Sequence, residues 1–172
     1  MNRARKSVYI GVFTALALIF SYVEYLVPIP VPVPGFKLGL SNLVILVILL
    51  VFGFYEALFV GLIKVSVSAL LFGNLFSFCF SFSGFLLSFF VMVLLLKSGK
   101  ISVPVVSLAG GVFHNFAQLV VASLLLKGSF AVWILPVLSL LGMGTGLIVG
   151  FLALFIFERI KKNDWFSSRD SL

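Results

Sequence analysis

The sequence predicts an all-α, polytopic membrane protein folded as a compact six-transmembrane-helix bundle. Three observations carry that prediction. Of the 172 residues, 62% are hydrophobic and only 10% charged, and the mean hydropathy of +1.30 lies far from the balance of a soluble domain of this length. Val65 to Leu96 and Gly128 to Phe157 hold no Asp, Glu, Lys or Arg, and each exceeds the roughly 20 apolar residues that cross a bilayer. The charges that remain sit mostly at the ends of apolar segments. No polar linker divides the chain, so residues 1–160 read as one transmembrane domain and 161–172 as a polar cytoplasmic tail.

The first helix is expected over residues 7–26. Arg3, Arg5 and Lys6 before an apolar run imitate a signal peptide, but no small-residue cleavage site follows and further spans do, so this is read as an uncleaved helix. One face carries Thr14, Ala17, Ser21 and Glu24. Gly11 and Ala15, four apart, form a small-residue pair that lets another helix approach closely. The next stretch, VPIPVPVPGFKLGLSN from Val27 to Asn42, cannot span. Pro28, Pro30, Pro32 and Pro34 remove backbone donors and push their predecessors away from helix, which predicts an extended segment. It reads either as a stiff lid over a cavity or as an interfacial connector, and it delivers Lys37 and Asn42 to the start of the second helix.

The second helix, expected over 39–53, is short for a span and so is expected to tilt or to be covered by its neighbours. The third, over 55–72, places Lys64 near mid-membrane on a stripe with Ala57, Gly61 and Ser68. A charge at that depth costs several kcal/mol unless it is paired, hydrated or able to snorkel, about 3 kcal/mol on insertion scales. Lys64 therefore attracts an anionic ligand, pairs with Glu24, or snorkels. Ser77, Ser81, Gly84 and Ser88 mark a similar strip on the fourth helix, over 76–96. The fifth, over 102–126, clusters Ser107, Gly111, His114, Asn115, Gln118 and Ala122 on one face. His114 and Gln118 are four apart and can share a space; the alternatives are ligand contact and interhelical hydrogen bonding. The sixth is expected over 136–158, with Pro136 in its first turn and residues 129–135, including Trp133, as an outer interfacial segment. Gly142, Gly146 and Gly150 repeat at four-residue spacing, which favours tight helix packing.

An even number of spans puts both termini on one side. With that side cytoplasmic, Arg3, Arg5, Lys6, Lys97, Lys100, Arg159, Lys161, Lys162 and Arg169 fall inside and only Lys37 and Lys127 outside, leaving Lys64 in the membrane out of twelve basic residues. The excess of inner positive charge sets this orientation in the cell membrane. The same placement explains the net charge of +7 without nucleic acid as a partner.

Several chemistries are poorly supported. Cys79 has no second cysteine and His114 no second histidine, so disulfide and multi-histidine metal chemistry have no basis. There is no phosphate-binding loop of the ATPase type. The two aspartates, Asp164 and Asp170, both lie in the tail, so no aspartate pair stands ready to hold magnesium against a diphosphate. No nucleophilic triad surrounds His114. The expectation is a non-enzyme with no cofactor.

Taken together, PVPGFKLGLSNLV, EALFVGLIKVSVSALLFGNLFSFCFSFSG, GGVFHNFAQL and LPVLSLLGMGTGLIVG resemble the Gx transporter family, also labelled heptaprenyl diphosphate synthase component I. The resemblance covers nearly the whole chain outside the tail. That family is similar to the S components of energy-coupling-factor transporters, six-helix subunits that capture a small solute and work with a transmembrane coupling subunit and two ATPase subunits. The resemblance implies a lid role for Pro28 to Lys37 and a cavity role for Asn42, Lys64, His114, Asn115 and Gln118; apart from the resemblance, Glu24, toward the outer end of the first helix, is read as orienting a ligand or neutralising Lys37 or Lys64. The resemblance makes Gly11 and Ala15 candidate partner contacts. Lys64 stands where the family pattern has arginine, which keeps the charge but not the planar two-pronged fork. The second label implies a different role, a non-catalytic membrane component of heptaprenyl diphosphate or quinone synthesis. The expectation is therefore a solute-binding uptake subunit, surrounded by membrane lipids, with the synthesis role as the alternative.

Overall fold

The computed structural model describes residues 3–26, 39–126 and 130–162. Among them the regular elements are all helical: α1 (Arg3–Leu26), α2 (Leu40–Val51), α3 (Phe54–Phe72), α4 (Leu75–Lys97), α5 (Val103–Leu126) and α6 (Phe130–Lys162). Five helices are long and apolar enough to cross a membrane, and α2 is a shorter apolar helix. The protein is a multi-pass helical membrane bundle.

Short links set the neighbours. Phe52 and Gly53 alone separate α2 from α3, and Gly53 sits at φ 101°, a region that penalises any side chain. Gly73 and Asn74 separate α3 from α4, where the Asn74 side chain accepts from the Ser77 N–H at 2.9 Å and caps the new helix. Pro104 lies in the first turn of α5, where its missing N–H costs nothing. Near the end of α6, Leu96, Ile101, Ile156 and Ile160 gather over one apolar cluster, and the Lys6 ammonium pairs with the Glu56 carboxylate across α1 and α3.

Helix α2 occupies the interior, in contact with α1, α3 and α6. Seven of its 12 residues are buried, from Ser41 through Ile48. At 1.5 Å per residue it is about 18 Å long, well short of a bilayer core of about 30 Å. It can be short because neighbouring helices cover it, as the sequence suggested.

The closest packing joins α5 to α6. A Cβ added at Gly146 would fall 2.7 Å from the Ser107 carbonyl oxygen, and one at Gly150 would fall 2.6 Å from the Pro104 Cα. Gly111 and Gly142 face each other one turn further along. Without a hydrophobic drive between helices in lipid, such backbone approach is what van der Waals packing needs. The glycine repeat of α6 is therefore a packing seam. Gly144, off that seam, faces open space.

One element departs from the sequence reading. Residues from Phe130 are already helical, so Pro136 lies inside α6 and not in its first turn. Membrane helices tolerate an internal proline because neighbouring groups re-satisfy the freed backbone, so the soluble-protein stop rule did not apply. The interfacial segment expected at 129–135 is replaced by helix from Phe130 onward.

Candidate functional site

Most of the polar side chains singled out from the sequence meet in the interior. Lys64 lies ten residues after the start of α3 and eight before its end, about 15 Å and 12 Å along the axis, and is 5% exposed. Its ammonium donates to the Asn42 Oδ1 at 3.1 Å. Asn42 is in the first turn of α2, which begins after Gly39 at φ 85°.

Gly39 has no side chain to cap α2, and Glu24 does so from α1. Its carboxylate accepts from the Leu40 N–H at 2.6 Å and from the Ser41 Oγ at 2.9 Å. A carboxylate at a helix N-terminus satisfies an orphan donor and sits favourably in the helix dipole. Glu24 is 7% exposed. These bonds close the chain between residues 24 and 40. Pro28, Pro30, Pro32, Pro34 and Lys37 lie between them, outside the described residues.

His114, from α5, stands over Gly84 of α4. A Cβ at Gly84 would come within 2.8–3.0 Å of the imidazole, so the absent side chain is what admits the ring. Ser68 lies one turn beyond Lys64 on α3, 4% exposed, and its Oγ has no hydrogen-bond partner.

These groups line one hollow of about 10 Å³. Glu24 comes from α1, Ser41 and Asn42 from α2, Lys64 and Ser68 from α3, Ser81 from α4 and His114 from α5. A second hollow, about 30 Å³, shares Gly39 and Asn42 and continues toward α6 past Ser88, Met92, Ser107 and Thr145. A buried water needs about 10–15 Å³ of such space, so the two hold about one and two waters. Both are too small for more than water, so any larger solute requires side chains or helices to move. A third space of about 530 Å³ opens at the surface where α3 passes into α4, lined by Ser66, Ala69, Leu70, Asn74, Leu75 and Phe78; its walls carry no charge.

Six of the seven predicted cavity residues, all but Lys37, therefore lie among the described residues. Glu24, Asn42, Lys64 and His114 share the first hollow. Asn115, 3% exposed, instead donates its amide to the Leu138 carbonyl of α6 at 2.7 Å, and Gly142 leaves room for that amide. Gln118 is 5% exposed, and its Nε2 has no hydrogen-bond partner; it lines neither polar hollow. Gly11 and Ala15 are exposed on α1, with nothing within 4 Å of a Cβ on Gly11, so this pair does not pack inside the chain. Sequence reasoning missed Gly39 and Ser41. Their signal was present in the LGLSN run, where a glycine and a serine precede an apolar helix.

A chain of this pattern matches the family model described as heptaprenyl diphosphate synthase component I, over residues 13–156. The protein belongs to that family. The matched region starts within α1 and ends near the end of α6, so it takes in both polar hollows and the α5–α6 seam. Comparison with curated proteins and with solved structures gave no match. The family's description names a component, which is compatible with partner subunits.

Proposed function

We propose that the protein is a membrane-embedded small-solute-binding subunit of an uptake transporter, energised by separate coupling and ATPase subunits. One observation carries this reading: five helices direct a lysine, a glutamate, a histidine, an asparagine and serines into one hollow. A bundle that needed only glue has cheaper means, since interhelical hydrogen bonds contribute about 0.6 kcal/mol on average and a buried lysine costs more than that to insert. Ion and substrate sites are where intramembrane charges are usually found. The resemblance to S components is compatible with a bundle of five long helices and a short buried α2; in this reading α2 is a sixth crossing and both termini are cytoplasmic. The exposed Gly11–Ala15 face of α1 is then the surface offered to a coupling subunit.

The family's description supports a second reading, a non-catalytic membrane component of heptaprenyl diphosphate synthesis. Affinity purification of the tagged chain from its native membrane, followed by assays of both activities, separates the two. ATPase subunits in the complex and ATP-dependent solute accumulation support uptake. Prenyltransferase activity that disappears without this chain, with no ATPase partner, overturns it.

A further inference from the structure

We infer that the first hollow is a subsite for a single anionic group of the solute, carboxylate or phosphate, and that Glu24 is its built-in competitor. The inference rests on the solute-binding reading and names the chemistry that reading leaves open. Three features point to an anion. The first turn of α2 lines the hollow through Gly39, Ser41 and Asn42, and a helix N-terminus favours negative charge. The Lys64 ammonium lies in the same wall, 5% exposed, at a depth where lipid would not hydrate it. Ser68 turns a hydroxyl with no hydrogen-bond partner into the same space while 4% exposed, a donor of the kind anionic oxygens take.

The negative charge nearest the helix end is Glu24, whose two oxygens accept from Leu40 and Ser41. The protein thus meets the demand of its own helix terminus with one of its own carboxylates. Asn42 lines both hollows and accepts from Lys64. Rotation of that side chain toward the second hollow releases one contact of the ammonium on the side where the two spaces meet. The anionic group then sits between Lys64, Ser68 and the α2 terminus, and the uncharged remainder of the solute extends past Ser88, Ser107 and Thr145. Met92, an adaptable side chain, borders that path.

The test uses the full chain purified in an uncharged detergent. Thermal unfolding is followed at constant ionic strength against inorganic phosphate, acetate and, in mixed micelles, phosphatidylglycerol, with chloride as reference. Phosphate or acetate is expected to raise the melting temperature of the wild type and of Lys64→Arg. Lys64→Met is expected to weaken the response at least about tenfold, and Glu24→Gln, which keeps an acceptor for the Leu40 N–H but drops the charge, to strengthen it about tenfold. Stabilisation by phosphatidylglycerol alone, dependent on Lys64, keeps the subsite and assigns its occupant to the membrane. No response to any anion, a response in Lys64→Met equal to that of wild type, or a response in Glu24→Gln no stronger than that of wild type, overturns the inference. Should that happen while a solute still co-purifies with the protein, the anion assignment falls and the solute-binding reading stands.

Discussion

Substituting Gly142 by alanine tests the helix packing that holds the site. The added Cβ would lie 2.6 Å from the Asn115 amide nitrogen and 2.7 Å from the Gly111 carbonyl oxygen. The amide can swing away, but only by giving up its 2.7 Å bond to the Leu138 carbonyl, a loss of about 0.6–2 kcal/mol in a membrane interior. The Gly111 backbone cannot swing, so α5 and α6 must separate locally, an overpacking cost of about 1–3 kcal/mol. Against these stands a gain of about 1 kcal/mol from replacing glycine in a helix. The net expectation is a loss of about 1–4 kcal/mol. Gly144→Ala, two residues away with nothing within 4 Å of its Cβ, should keep the propensity gain alone and be neutral or stabilising by up to about 1 kcal/mol. Unfolding in mixed detergent micelles, titrated with a denaturing detergent, measures both. Equal stability of Gly142→Ala and wild type, or equal destabilisation by the two variants, would refute the seam.

Further substitutions probe individual contacts. Glu24→Ala removes the cap of α2 and leaves the Leu40 N–H and Ser41 hydroxyl without their acceptor, so the same assay should show a loss of about 1–3 kcal/mol, with Glu24→Gln much milder. Gly84→Ala drives a methyl into the His114 ring and should reduce solute retention in native mass spectra while the helical circular dichroism persists. Asn74→Ala loses the bond to the Ser77 N–H and should cost about 1 kcal/mol, with no effect on solute. Lys6→Ala breaks only the partly exposed pair with Glu56 and should cost no more than about 1 kcal/mol.

The long helices were legible because hydrocarbon imposes length and apolarity on each, as in Val65 to Leu96. Pro136 misled because the rule that places proline in a first turn comes from water-exposed helices, whereas here the helix continues through it. The stripe of Ala57, Gly61, Lys64 and Ser68 gave the inward face of α3 directly, since three-and-four spacing is geometry that any helix obeys. Which groups meet across helices was not legible in the same way. Nothing local to Glu24 says that its oxygens reach the N-terminus of a helix 16 residues on; that contact exists only once α1 and α2 pack. Asn115 looked like its neighbour His114, yet its partner is a backbone carbonyl, and the sequence pattern cannot tell a carbonyl from a ligand. Gly84 read as part of a small-residue strip, while its particular use is to seat an imidazole from another helix.

Interior polar groups that serve a bound molecule should hold it through gentle extraction. Native mass spectrometry of the gently extracted protein, wild type beside Lys64→Met, tests this most directly. A small molecule that stays with the wild type and is lost from the variant, with both proteins equally helical and equally monodisperse, is the predicted result. Spectra of the bare polypeptide in both cases, or an adduct retained equally by both, would contradict the account.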